Sequence, residues 1–421
     1  MARDLRLFYL FRLLATSYLW VPIFVYFFES RGLQWSEISI LGAIYCGVVI
    51  LVEIPTGAFA DRIGRRRSMM AGTLAMVAAC VTAYFAHGFA AFAIAEVLAA
   101  TSMSLCSGAD SAYLFDLLVD NGRADEYAHH EGRASAWHFA GQTLAFAAGG
   151  VLAEIDLALP YLATAAVSAA AFGVALLMDG ERAAIVSRPL RPAREEARAY
   201  FRHMRESLRA ARSNRALLWV IGYAAVVFAL LKAIAYLYQP LLKAQSFGYA
   251  EVGFIFAGVY AVASFVAHQA DALRRQYGED VLVWGVLIAL AGSFLLLGQV
   301  RSEWVMMLLL VQAIATGLYS PLVKPLLNRQ IASSDHRATV LSIESIAKRS
   351  FMIGAVFLPI AASYGPAAAL YWCGGVGLAG FAVLAAFGRA APLSGRGAVF
   401  RAVVPEDSVP ALSGDPPCPS K

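Results

Sequence analysis

Residues 53–67 read Glu53-Ile-Pro-Thr-Gly57-Ala-Phe-Ala-Asp61-Arg62-Ile-Gly64-Arg65-Arg66-Arg67. One apolar run, residues 37–60, leads into this stretch, and another, residues 69–87, leads out of it. A helix needs about 20 apolar residues to cross the hydrocarbon core of a bilayer, and both runs are of that order. Arginine collects in short loops on the cytoplasmic side of membrane proteins. The stretch therefore reads as a tight cytoplasmic loop between two membrane helices.

The same alternation continues in both directions. Candidate spans lie at 7–28, 37–60, 69–87, 89–117, 134–154 and 157–178, and then at 216–239, 249–270, 281–299, 303–326, 338–362 and 366–388. A span with its loop takes about 35 residues, so 421 residues make room for about 12. Composition agrees: 60% of residues are hydrophobic and 15% charged, against about 45–50% and about 25% in soluble domains. That balance excludes a disordered chain, a soluble enzyme and a small disulfide scaffold. In lipid every backbone polar group must be satisfied within its own segment, so the runs read as helices. The expected fold is an all-α polytopic membrane protein, with twelve transmembrane helices in two six-helix halves.

Four units are expected: a first bundle (1–180), a linker (181–215), a second bundle (216–389) and a tail (390–421). The linker is rich in arginine, and Glu195 to Arg212 carries a Tyr200, Phe201, Met204, Leu208 stripe. It reads as an amphipathic helix lying on the cytoplasmic leaflet. The tail, rich in Pro, Gly and Ser, reads as disordered. Arg274, Arg275, Arg329, Arg337, Arg389 and Arg396 fall on the same side as Arg62, whereas the opposite breaks hold Arg31, Lys243 and Arg301. Both termini are then cytoplasmic. Ala267-His-Gln-Ala-Asp271-Ala-Leu-Arg274-Arg275, closing span 8, echoes the stretch that closes span 2. The echo suggests a duplicated architecture.

Gly57, Asp61, Arg62, Gly64, Arg65 and Arg66 match the pattern G-x-x-x-D-[RK]-x-G-[RK]-[RK]. In the loop between spans 2 and 3, this resembles the major facilitator superfamily. Glu53-Ile-Pro-Thr-Gly57, Ser107-Gly-Ala-Asp110-Ser-Ala-Tyr113-Leu-Phe-Asp116 and Arg337-Ala-Thr-Val-Leu-Ser342 resemble a bacterial branch often described as multidrug transporters. The resemblance implies that the signature cluster latches the two halves in the outward-facing state. Asp116, at the cytoplasmic end of span 4, is placed to pair with Arg62 or Arg65. Small Gly57 permits close helix approach.

Charges inside a membrane are costly and so are functional candidates. Glu53 lies eight residues before Asp61, or roughly 12 Å into the helix at about 1.5 Å per residue. Asp110 with Ser107 and Ser111 reads as cavity lining, with Tyr113 nearby. Glu96 lies in the outer half of the same span. Lys232, Tyr236 and Gln239 recur at i, i+4 and i+7, on one face of span 7. Lys232 is expected to pair with Glu53 or Asp110, to bind an anionic substrate, or to snorkel outward. His138 and Gln142 share a face of span 5; a lone His there reads as packing, and Gln142 joins the cavity set. Arg12 and Lys324 read as snorkelling cations, Tyr238 as packing, and Glu344 with Lys348 as an intrahelical pair.

Scattered cysteines and the absence of Walker-type, Gly-x-Ser-x-Gly and His-Glu-x-x-His motifs leave no catalytic, metal or cofactor site to expect. Nucleic acid is not an expected partner. The expected partners are a small-molecule substrate, protons as coupling ion and membrane lipid, for a monomer in a bacterial inner membrane. The function expected is secondary transport by alternating access, most readily as a proton-coupled exporter of drug-like compounds. The alternatives are an importer of a small anionic metabolite and a non-transporting receptor or assembly factor.

Overall fold

The computed structural model describes residues 1–179, 214–299, 304–330, 334–363 and 365–389. The expected linker helix and tail lie outside these residues. Among the described residues all regular structure is helical. The first half holds α1 (Ala2–Ala15), α2 (Phe24–Ser30), α3 (Trp35–Ile63), α4 (Arg65–Phe85), α5 (Gly88–Cys106), α6 (Ala109–Val119), α7 (Tyr127–Ile155) and α8 (Leu159–Leu177). The second half holds α9 (Arg215–Ala244), α10 (Tyr249–Tyr277), α11 (Glu279–Leu297), α12 (Trp304–Arg329), α13 (Ser334–Phe351), a π-helical turn (Met352–Phe357), α14 (Leu358–Ala361) and α15 (Pro366–Arg389). Nine described stretches are long and apolar enough to cross a membrane. With α1–α2, α7 and α13–α14 they are consistent with twelve crossings.

Three crossings are broken. Residues Thr16–Ile23 unwind between α1 and α2. The freed Leu19 N–H finds Thr164 Oγ1 at 3.0 Å, as lipid-buried backbone requires. Gly149 of α7 makes room for this strand of chain: a Cβ there would overlap the Leu19 carbonyl. The second break separates α5 from α6 at Gly108, whose φ of 82° suits glycine. The third is the π turn, where the Trp372 indole donates to the Ala355 carbonyl at 2.7 Å.

The duplication read from the loops extends to the packing. In the first half α4 packs on α5 and α8, α3 on α5, and α1 on α7 and α8. In the second half α11 packs on α12 and α15, α10 on α12, and α9 on α13 and α15. Equivalent helices also begin and end alike. Glu37 accepts from Gln34 N at α3, and Glu251 accepts from Gly248 N at α10, both at 2.8 Å. Each is the half of a capping box in which the third helical residue reaches back to the N-cap backbone. Gly64 (φ 101°) ends α3 and Gly278 (φ 84°) ends α10. The second copy thus keeps a glycine stop three residues beyond Arg275.

The halves meet along α7 with α10, α3 with α13, the π turn and α14, and α2 with α9. The end of the bundle that carries Gly64 is called here the signature end, and the opposite end the far end.

Candidate functional site

At the far end the seam is sealed by polar contacts. Gln239 of α9 accepts from Val25 N at 2.8 Å and donates to the Val21 carbonyl at 3.1 Å. Tyr26 Oη donates to the Gln239 carbonyl at 2.7 Å, and Lys243 pairs with Glu29 at 2.6 Å. Glu154 accepts from Ala250 N at 2.9 Å. Tyr236 lies just inside this seal, its ring 4.8 Å from Phe24 and 5.0 Å from Phe357. Gln239 is therefore part of the seal, bonded to backbone on both oxygen and nitrogen, and not a free cavity amide.

Toward the signature end, Glu53 of α3 crosses the seam to α13. Ser345 Oγ donates to its two oxygens at 2.8 and 3.0 Å, and Arg349 pairs with it at 3.4 Å. Glu344 and Lys348 pair at 3.0 Å within α13, as their i, i+4 spacing predicts. Lys348 lies 5.1 Å from the Phe228 ring centroid and Lys232 lies 5.8 Å from it. Two cations thus approach one aromatic ring. Lys232 pairs with neither Glu53 nor Asp110, because each of those has its own arginine. It is exposed, and no acid pairs with it among the described residues.

In the first half, Asp110 forms a largely buried ion pair with Arg12 of α1. Arg12 therefore does not snorkel. The break at Gly108 is what aims Asp110: it sits in the first turn of α6, where its Oδ1 also accepts from Ser111 N at 2.7 Å. Ser111 Oγ in turn donates to Glu131 of α7 at 3.1 Å. Glu131, His138 and Gln142 recur at i, i+7 and i+11, one stripe of α7. Glu131 Oε2, His138 Nδ1, Gln142 Oε1 and Arg12 Nε are all buried without a hydrogen-bond partner among the described residues. Such orphans are uncommon in folded proteins. α7, which carries this stripe, also packs on α10 of the second half. His138 is a member of a polar cluster here and not a satisfied packing residue.

Other expected residues fall elsewhere. Tyr113 is buried in the first-half core, stacked on Phe8 with centroids 6.1 Å apart, and its hydroxyl donates to the Asp179 carbonyl at 3.2 Å. Its ring packs on Phe8 of α1, whereas Asp110 engages Arg12. Glu96 borders a cavity of about 20 Å³ inside the first half, among Trp20, Phe28, Cys80 and Tyr161. Tyr238 is packing, as its face predicts. Of the signature, Arg65 reaches Asp116 at 3.8 Å, and Arg66 donates to the Ala175 and Leu176 carbonyls at 2.7 Å each. Gly57, Asp61 and Arg62 fall in the last turns of α3, and their side chains lie outside the described set.

Two members of the cluster carry no sequence signal of their role. Glu131 sits before the apolar run that marks span 5, because α7 begins a full two turns earlier, at Tyr127. The Arg12 to Asp110 pairing spans 98 residues.

The model of the Major Facilitator Superfamily matches residues 7–278. A tetracycline resistance protein, class D, of Salmonella ordonez is 24% identical over 297 residues, 69% of this chain and 71% of that protein. Among solved structures, a mutant of the nucleoside transporter NupG superposes with a TM-score of 0.75 at 12% identity, covering 91% of this chain and 98% of that one. The peptide transporter POT bound to sulfate gives 0.71 at 15% identity, covering 93% and 94%. The human organic anion transporter MFSD10 (TETRAN) gives 0.60 at 18% identity, covering 91% and 99%. At these identities the likeness to solved structures establishes the shared fold.

Proposed function

The chain belongs to the Major Facilitator Superfamily, and on that premise we propose that it is a secondary active transporter exchanging protons for a drug-like molecule across a bacterial inner membrane. The observation that carries this reading is the polar stripe of Glu131, His138 and Gln142 beside the Arg12–Asp110 pair, with open hydrogen-bonding positions on a helix that packs against the second half. Buried groups of that kind are what a polar solute would satisfy. Asp110 and Glu53 are the coupling carboxylates. Each is held by an arginine that proton uptake would release, and Glu53 does so across the seam. Export is favoured because the sequence relative is named for tetracycline resistance.

The signature end faces the cytoplasm, by the distribution of arginine. With the far end sealed through Gln239 and Lys243, the structure is then the state whose path leads inward.

Inverted vesicles with an imposed proton gradient test the proposal. Substrate accumulation that collapses in Asp110→Asn and Glu53→Gln supports it. Undiminished gradient-driven transport in both variants overturns proton coupling at these sites. Lys232, exposed and without an acid partner among the described residues, supports a second reading, import of a small anionic metabolite. Uptake of an organic anion by intact cells, abolished in Lys232→Ala, would replace export with that reading.

A further inference from the structure

A second basic site lies outside the seam. At the signature end α1 and α7 enclose a groove of about 380 Å³, bordered by Arg6, Tyr9 and Leu10 from α1 and by His130, Arg133 and Trp137 from α7. At about 100° per residue, these α7 positions lie about 100–160° around the helix from the Glu131, His138, Gln142 stripe. Arg6 and Leu10 are likewise at least about 120° from Arg12. The groove therefore opens on the outer surface of the first half. Leu10 is 43% exposed and Trp137 44% exposed. In a bundle surrounded by lipid, large apolar side chains so exposed face acyl chains.

The polar part of the groove is cationic. The Arg133 guanidinium lies 5.3 Å from the Tyr9 ring centroid. Tyr9 in turn hydrogen-bonds His130 Nδ1, which fixes the floor. Arg6 and Arg133 both border the groove, and neither has an acidic partner among the described residues. The groove lies within the first few turns of each helix, at headgroup depth for a chain that spans a membrane, and Trp137 is an interfacial anchor residue. Guanidinium groups are the side chains best suited to phosphate oxygens.

We propose that this groove binds an anionic phospholipid, its headgroup phosphate between Arg6 and Arg133 and an acyl chain along Leu10 and Trp137. A soluble anion would use the arginines and leave the apolar wall unused. The inference rests on the membrane-spanning reading of the chain and not on the transport reaction. The lipid ties α1, which carries Arg12, to α7, which carries Glu131 and His138, so its occupancy acts on the polar cluster from behind.

The test uses the full chain purified in detergent and delipidated, with phosphatidylglycerol, phosphatidylcholine or inorganic phosphate added. Thermal unfolding is followed together with retained lipid by native mass spectrometry. Phosphatidylglycerol should raise the unfolding temperature by several degrees and be retained, whereas phosphatidylcholine and inorganic phosphate should do neither. The phosphatidylglycerol effect should vanish in Arg6→Gln/Arg133→Gln and persist in Arg275→Gln. Equal effects of the two lipids, or an undiminished effect in the double variant, overturn the proposal. Stabilisation by inorganic phosphate alone makes the groove a soluble-anion site and overturns the lipid assignment. Should the double variant not fold, phosphatidylglycerol brominated in its acyl chains decides on the wild type. Quenching of tryptophan fluorescence that is lost in Trp137→Phe supports the proposal, and its persistence refutes it.

Discussion

Gly150 of α7 and Gly253 of α10 meet backbone to backbone across the seam: a Cβ on either would stand 2.7 Å from the other's Cα. No side chain beyond hydrogen fits while α7 and α10 keep this approach. Gly150→Val is therefore expected to force the helices apart. Overpacking of this kind costs about 1–3 kcal/mol. The expected outcome is an unfolding temperature lowered by several degrees and reduced transport. An unchanged unfolding temperature would mean that α7 and α10 separate freely.

Gln239 makes the far-end seal through both ends of its amide. Gln239→Leu keeps the bulk and removes the bonds, leaving Val25 N and the Val21 carbonyl unsatisfied. Each buried unsatisfied group costs about 1–3 kcal/mol. The seal should open, and cysteines placed at Glu29 and Lys243 should cross-link less and react faster with a membrane-impermeant maleimide. Unaltered cross-linking would show that Tyr26 and Tyr236 hold the seal without Gln239.

The Arg12–Asp110 pair separates structural from functional roles. Breaking a buried pair from one side costs about 3–5 kcal/mol, whereas replacing both members by apolar residues is often neutral. Asp110→Asn should thus destabilise, and Arg12→Met/Asp110→Leu should regain stability in thermal unfolding. Transport should stay lost in the double variant. Recovery of gradient-driven transport there would reduce the pair to scaffolding.

Lys232 gives the opposite pattern. With no acid partner among the described residues, Lys232→Met should leave the unfolding temperature unchanged or raise it slightly. If the ammonium contacts substrate, binding of that substrate should fall by at least about tenfold, which corresponds to about 1.4 kcal/mol. Isothermal titration on the two proteins checks both parts. A large drop in stability would reveal a structural role.

Outside the membrane-crossing segments, the turn between α6 and α7 holds Glu126 below the ordinary glutamate range, because Arg123 hydrogen-bonds its carboxylate. A carboxyl whose folded pKa is depressed adds stability above its unfolded value and loses it as pH falls through the folded one. The difference between wild type and Glu126→Gln should be small and constant near neutrality and should disappear on acidification below 4.5. A difference that grew in acid would contradict the pairing.

The crossing helices were legible because bilayer thickness imposes a length on every apolar run, and the loop arginines stand out between them. Glu53 and the Glu344–Lys348 pair were also legible, the first from its depth and the second from its spacing. Asp110 and Gln142 were named from the sequence as cavity residues, but Glu131 and the pairing of Arg12 with Asp110 were hidden for physical reasons. Glu131 belongs to a polar first turn that hydropathy assigns to a loop. Asp110 opens α6 after the Gly108 break, and the pairing that meets it there comes from Arg12, 98 residues away. Gln239 shares a face with Lys232, yet the unwinding of residues Thr16–Ile23 brings backbone groups to it that no periodicity announces.

The π turn at Met352–Phe357 has a mechanical consequence. A π turn stores one surplus residue in a helix. Absorbing it into α-helical winding would turn everything beyond it by about 100°. Phe357, which packs on Tyr236, would swing away, although the chain would have broken almost no hydrogen bonds. The crossing formed by α13 and α14 can thus behave as a ratchet with one tooth of slack, re-indexing its outer segment while the Glu53–Arg349 contact on its inner segment stays engaged.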